Sequence, residues 1–255
     1  MSPGEPQLRR LAEIARLLED NPAALGLLAL GSVGRESARL DEYSDLDFFI
    51  IARPGQKQAF LDNLDWLEGL HPIAYSFRNT ADGFKLLFAD CIFCEMAVFE
   101  PQELAGVPYA PGRLIWKRDG VDEKIGEPQW IAPPAPQPDL EWLLGEALTN
   151  LYVGLCRYRR GEKLSAVRFI QGYAVDRVIQ LISLIDLPSQ VGADPFSPER
   201  RFEQRYAQHG IWLDRFIQGY GSSPRSAQAI LEFLKLHFSI NPAMEDAIQR
   251  LCLEP

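Results

Sequence analysis

The sequence predicts an α/β chain of the α+β kind, with a mixed-sheet domain over residues 1–125, a Pro-rich connection over 126–138 and an all-helical region over 139–255. Three observations carry this reading. Short apolar runs bounded by turn residues recur as far as residue 118, which is strand patterning. Five prolines crowd the stretch GEPQWIAPPAPQPD, 126–139, where neither a helix nor a central strand can continue. Beyond it the apolar residues recur at helical spacing to the end of the chain.

The elements follow in order. Leu8, Leu11, Ile14, Leu17 and Leu18 form one face of a helix over 6–20, which Asn21-Pro22 ends. LGLLALG (25–31) and DLDFFIIA (45–52) read as buried strands, with VGRESAR between them as a short helix. Pro54 opens a helix through Leu67, whose apolar face is Phe60, Leu61, Leu64 and Leu67. Strands are expected at 73–78, 84–89 and 92–99, the first two joined by the turn Ala81-Asp82-Gly83, with an edge strand at 113–118. Asp139 is the expected N-cap of a long helix, followed by helices over 163–187, 197–208, 211–219, 224–238 and 242–253.

Bulk properties narrow the function. The 255 residues are 47% hydrophobic and 24% charged, a globular composition. The formal net charge of −9, from 35 acidic and 26 basic residues, argues against a nucleic-acid partner, which calls for a basic face. A small neutral or cationic substrate suits that balance better. There is no apolar run of membrane-spanning length and no signal-peptide pattern, so a cytoplasmic location without a membrane partner is expected. Cys91 and Cys94 form a CxxC, but no second pair or His spacing completes a zinc site, and both are expected as buried structural cysteines. His71, His209 and His237 show no ligand spacing.

The chemistry concentrates in LLALGSVGRESARLDEYSDLDFFII, 27–51. Asp45 and Asp47 are two apart on a strand and project from one face. Two adjacent carboxylates repel each other and resist desolvation, and a divalent cation between them removes that penalty. Mg²⁺ prefers such oxygen ligands and leaves room for substrate phosphates. Gly31 lets a phosphate approach the backbone, and the Ser32 hydroxyl with the following amides can donate to it. Arg35 adds a positive charge one turn on, and the segment from Val33 to Ser44 spans the gap to the aspartates. The plain alternative is a strand cap at Asp45, a solvent-facing Asp47 and an ordinary Gly-Ser turn. The coincidence of strand, Gly-Ser and Asp-x-Asp before a second apolar strand favours the metal and phosphate reading.

This signature resembles that of the nucleotidyltransferase superfamily, the DNA polymerase beta-like fold. Its pattern is Gly with Gly or Ser, a gap of about a dozen residues, then Asp-x-Asp or Asp-x-Glu on a strand. The order of segments is most similar to the lincosamide and aminoglycoside antibiotic nucleotidyltransferases. The resemblance is sharp over 30–51, fair over 88–99 and loose over 140–187. It implies Mg²⁺ and a nucleoside triphosphate, most simply ATP, whose nucleotidyl group passes to a hydroxyl on a small acceptor. It also implies a third carboxylate on a neighbouring strand. Glu95, in IFCEMAVF, is the expected one, as metal ligand or as general base, with Asp90 and Glu100 as alternatives. Gly31, Ser32, Arg35 and Ser44 would line the nucleotide, and Asp45, Asp47 and Glu95 the metal. A homodimer is implied by the resemblance alone. The basic cluster Arg157–Lys163 reads first as a helix end and second as a triphosphate contact through Lys163 or Arg168. A domain of this kind that regulates or neutralises a protein partner is the alternative function, and a degenerate nucleotide-binding module the next.

Overall fold

The structure, a computed structural model, describes residues 4–130, 139–189, 191–192, 194 and 197–253. The chain divides into two compact units, 1–135 and 136–255. Of the connection expected over 126–138, residues 131–138 lie outside the described residues. Gly126 belongs to the first unit's packing, because its carbonyl accepts the Gly112 amide at 2.8 Å.

The first unit is a six-stranded mixed sheet with helices on one face. Helix α1 (Glu5–Asp20) precedes β1 (Ala24–Ala29), and two 3-10 turns, Gly31–Val33 and Ser37–Arg39, lead toward β2 (Leu46–Ala52). Helices α2 (Gln58–Leu61) and α3 (Asp65–Glu68) follow, then β3 (Ile73–Arg78), β4 (Gly83–Phe88), β5 (Phe93–Phe99) and β6 (Arg113–Lys117). The strand order is β3-β4-β5-β2-β1-β6. Every pairing is antiparallel except β2 with β5.

Strand alternation separates two faces. Leu46, Phe48 and Ile50 of β2 meet Cys94, Met96 and Val98 of β5 on the face covered by α1, α2 and α3. Burying each large apolar side chain there contributes roughly 1.5–3 kcal/mol. On the opposite face a second cluster of Ile51, Phe99, Leu104, Tyr109 and Ile125 covers the far ends of β2 and β5. The near ends stay open.

Two expectations are modified. The helix expected from Pro54 to Leu67 is split, because Gly55 turns the chain at φ +76° and the Asn63 side chain accepts the Asp65 amide at 3.3 Å. That side-chain bond replaces helical hydrogen bonding between α2 and α3. The strands flanking the Gly-Ser motif are also shorter: β1 ends at Ala29 and β2 begins at Leu46, so both Gly31 and Asp45 lie on turns.

The second unit is helical throughout its described residues. Asp139 caps α4 (Leu140–Arg159), its side chain accepting from the Glu141 amide at 3.1 Å. One continuous helix runs through α5 (Lys163–Val167), a π-helical segment (Arg168–Ala174) and α6 (Val175–Ile185). The helices expected over 197–208 and 211–219 shrink to α7 (Phe202–Arg205), α8 (Ala207–Gly210) and α9 (Leu213–Phe216). Arg201 takes φ +58°, which stops a helix there, and Phe202, Tyr206 and Phe216 all turn into the core. α10 (Ser223–His237) and α11 (Pro242–Leu253) complete the unit. The basic cluster braces it. Arg157 donates to Ser165 Oγ and lies over the Phe169 ring at 4.1 Å, while Arg159 donates to the Leu251 carbonyl.

Among the described residues no helix is long and apolar enough to cross a membrane. The CxxC pair is divided. Cys94 is buried in β5, as expected, but Cys91 is exposed, in a turn at φ +67°. Burial, opposed by Arg10 and reinforced by Asp45, Asp47 and Asp90, pushes the Cys94 thiol far above its ordinary pKa. Alkylation needs the thiolate. Iodoacetamide at pH 8 should therefore modify Cys91 in the native protein and leave Cys94 intact, as peptide mass mapping would show. Native-state labelling of Cys94 at a comparable rate would contradict the packing of β5.

Candidate functional site

The site is built from the centre of the sheet. In the parallel pairing of β2 with β5, Asp47 stands opposite Glu95. In the antiparallel pairing of β5 with β4, Glu95 stands opposite Lys85, and β4 with β3 places Lys85 opposite Phe77. Register partners share a face, so Phe77, Lys85, Glu95 and Asp47 form one row across four strands. The neighbouring row is Tyr75, Leu87 and Phe93. Tyr75 and Phe77 are 57% and 45% exposed, so the open face carries aromatic surface beside its carboxylates.

The Gly-Ser turn sits at the end of this row. Gly31 adopts φ +53°, and a Cβ on it would lie 3.0 Å from Arg39 Nη2 and 3.3 Å from Asp47 Oδ2. The Asp47 carboxylate and the Arg39 guanidinium therefore abut the same glycine. The Asp47 carbonyl accepts the Leu30 amide at 2.8 Å, tying the turn to β2. Gly34 closes the turn, donating to Leu30 O at 2.9 Å and to Gly31 O at 3.1 Å. A side chain at Gly34 would strike the Ala29 carbonyl at 2.6 Å. Ser32 is buried within the turn.

Two distant elements hold these loops. Arg113 at the start of β6 donates from Nη2 to Val33 O at 2.9 Å and from Nε to Gly34 O at 3.2 Å. Gln7 of α1, itself buried, donates to Ser44 O at 3.0 Å, which fixes the residue before Asp45. The Ser44 hydroxyl is occupied locally, accepting the Asp41 amide and donating to the Asp41 carboxylate. Arg35 turns away from the aspartates. It donates to Gly112 O at 2.7 Å, pairs with Glu127, and lines a cleft of about 470 Å³ along β6 with Arg113 and Lys117. None of the three carboxylates lines that cleft.

The two alternatives to Glu95 lie elsewhere. Asp90 pairs with the buried Arg10 of α1 at 2.8 Å, and Glu100 accepts the Gly55 amide at 2.7 Å. Glu95 itself is bound by Lys85, with Nζ 2.6 Å from Oε1. Among the described residues no three His, Cys, Asp or Glu side chains are grouped to hold a metal ion. Asp47 lies on β2 but Asp45 precedes it in irregular backbone, so the expected pair of aspartates on one strand face is not formed as a strand pair. Carboxylates of this kind suit a hard cation that takes its remaining ligands from phosphate and water. Of the expected third member, one carboxylate oxygen, Oε1, is held by Lys85.

Lys85, Arg39 and Arg113 were not singled out from the sequence. Lys85 carried a signal, a lone charge inside an apolar strand, but only the hairpin register brings it to Glu95. Arg39 and Arg113 act through tertiary contacts that no local pattern encodes.

No family model matches the chain, and no curated protein matches it. Among solved structures, an aminoglycoside 6-adenyltransferase from Bacillus subtilis is similar over 96% of this chain and 95% of that chain, at 12% identity and a TM-score of 0.35. At that score the likeness assigns no residue a role.

Substituting Gly31 with alanine tests the turn. The left-handed backbone costs an L-residue roughly 1–2 kcal/mol, and the added methyl would press on Arg39. Gly31→Ala should lower chemical-denaturation stability by about that amount. An unchanged midpoint would mean that the turn relaxes without strain.

Proposed function

We propose that the chain is a Mg²⁺-dependent nucleotidyltransferase that moves a nucleoside monophosphate, most simply AMP from ATP, to a hydroxyl of a small acceptor. The observation that carries this reading is the convergence of the Gly31–Gly34 turn with Asp47 at one end of a sheet face on which Glu95 stands opposite Asp47. That convergence joins a phosphate-accepting backbone to carboxylates suited to a cation.

In this reading Asp45 and Asp47 hold the cation by their carboxylate oxygens. When bound, Mg²⁺ supplies charge neutralisation for the triphosphate and the pyrophosphate leaving group. Backbone amides of the turn before Gly34, whose own N–H closes the turn, hold phosphate oxygens, and the Ser32 hydroxyl, buried in the turn, joins them as the phosphate docks. Arg39, which is paired with Glu36, lies with Asp47 against Gly31 and takes the place that the sequence pattern would give to Arg35. Glu95 accepts the proton from the acceptor hydroxyl, and the aromatic surface of Tyr75 and Phe77 suits an apolar ring face on that acceptor. Catalysis then rests on in-line positioning and electrostatics.

The exposed edge-strand aromatics also favour a second reading, in which the acceptor is a protein partner. Incorporation of label from α-³²P-ATP separates the two: small-molecule product in one case, labelled protein in the other.

Calorimetry with a non-hydrolysable ATP analogue and Mg²⁺ tests the main reading. Wild type should bind only with the cation, and Asp47→Asn should weaken binding tenfold or more, about 1.4 kcal/mol. Absence of binding to ATP, GTP, CTP and UTP analogues by folded wild type would sink the proposal.

A further inference from the structure

The row across the open face includes one charged member that the proposed reaction does not use. Lys85 on β4 is the register partner of Glu95 on β5, and the two are joined at 2.6 Å. The pair is partly shielded, the side chains being 32% and 38% exposed. Glu95 lies between β4 and β2 in the sheet order, so Lys85 draws its carboxylate away from Asp47.

We infer that Lys85 is a positioning residue that keeps Glu95 out of the cation set, leaving a single-cation platform on Asp45 and Asp47. The inference rests on the nucleotidyltransferase reading and deepens it. The ion pair supports it: Glu95 with Lys85 is neutral, and one of the Glu95 carboxylate oxygens is already held. Adjacent like charges on neighbouring strands are unfavourable unless something lies between or beside them. The ammonium supplies that beside Glu95, and the carboxylate stays oriented over the β4 side of the face, where Phe77 extends the surface.

The consequence is a specific pattern of cation affinity. Lys85 also places a positive charge near the platform, so removing it should strengthen cation binding, and the gain should need Glu95. Mn²⁺ binding to the full chain, read from the electron paramagnetic resonance of free Mn²⁺ without nucleotide, measures this. Glu95→Gln alone, which leaves the Lys85 ammonium unpaired beside the platform, should weaken binding, whereas Glu95→Gln together with Lys85→Met should stay within about twofold of wild type. Lys85→Met should tighten it about tenfold, and Glu95→Gln in the Lys85→Met background should abolish the gain. Lys85→Arg, which retains the ion pair, should match wild type. Circular dichroism reports folding, and Lys85→Gln replaces Lys85→Met if the latter does not fold.

Two results would overturn the inference alone: a tenfold loss in the Lys85→Met, Glu95→Gln double variant relative to wild type, which would make Glu95 a cation ligand, or unchanged affinity on removing Lys85. Either leaves the broader reading standing while Asp47→Asn still abolishes binding. If Mn²⁺ binding is absent, or indifferent to Asp47→Asn, both without nucleotide and with the non-hydrolysable ATP analogue, the nucleotidyltransferase reading falls and this inference falls with it.

Discussion

The parallel pairing of β2 with β5 is the constraint on which the rest depends. It is the one parallel contact in the described sheet, and it sets Asp47 opposite Glu95 at the centre rather than at an edge. Like charges facing each other across a strand pair are destabilising. The fold leaves both carboxylates partly exposed and sets cations on either flank, Lys85 paired with Glu95 and Arg39, itself paired with Glu36, against Gly31. The apolar face beneath contributes the stability that this charged row does not. Leu46 and Cys94, one residue before Asp47 and Glu95, are both fully buried.

The loops that approach the row are fixed from a distance. Arg113 donates two hydrogen bonds to carbonyls of the Gly-Ser turn, across about eighty residues of sequence. Gln7 anchors Ser44 from the opposite direction, and α1 is itself tied down by Arg10, which lies over the Phe88 ring and pairs with Asp90. Functional groups on short turns held by rigid elements are the usual way a scaffold carries chemistry. Here the candidate residues sit on strand ends and turns.

The central elements were legible in the sequence because their signals were local. Asp45, Asp47 and the Gly31 turn stood out by spacing, and the strands of the first unit lie within a residue or two of their expected ends. Gly31 and Asp45 nonetheless sit on turns, since strand hydrogen bonding ends before apolar patterning does. Glu95 was recognisable as an acidic residue inside an apolar run, but its partner Lys85 was not. A hairpin register shifted by one residue reverses the face of every side chain. Arg35 illustrates the same limit: sequence distance from Gly31 favoured it, while folding turned it to Gly112 and Glu127 and brought Arg39 to the glycine instead. In the second unit the long helices α4, α10 and α11 followed their periodicity. The short ones did not, because burial of Phe202, Tyr206 and Phe216 overrode a continuous helical face.

In the proposed reading the Gly31 turn, Asp45 and Asp47 form one cation and triphosphate site. A crystal grown with Mn²⁺ and a non-hydrolysable ATP analogue tests it most directly, because manganese is located by its anomalous scattering. The account predicts a peak coordinated by Asp45 and Asp47, with the triphosphate along Gly31–Gly34. A peak in the cleft along β6, or a triphosphate bound by Arg35 and Lys117 away from the aspartates, would contradict it.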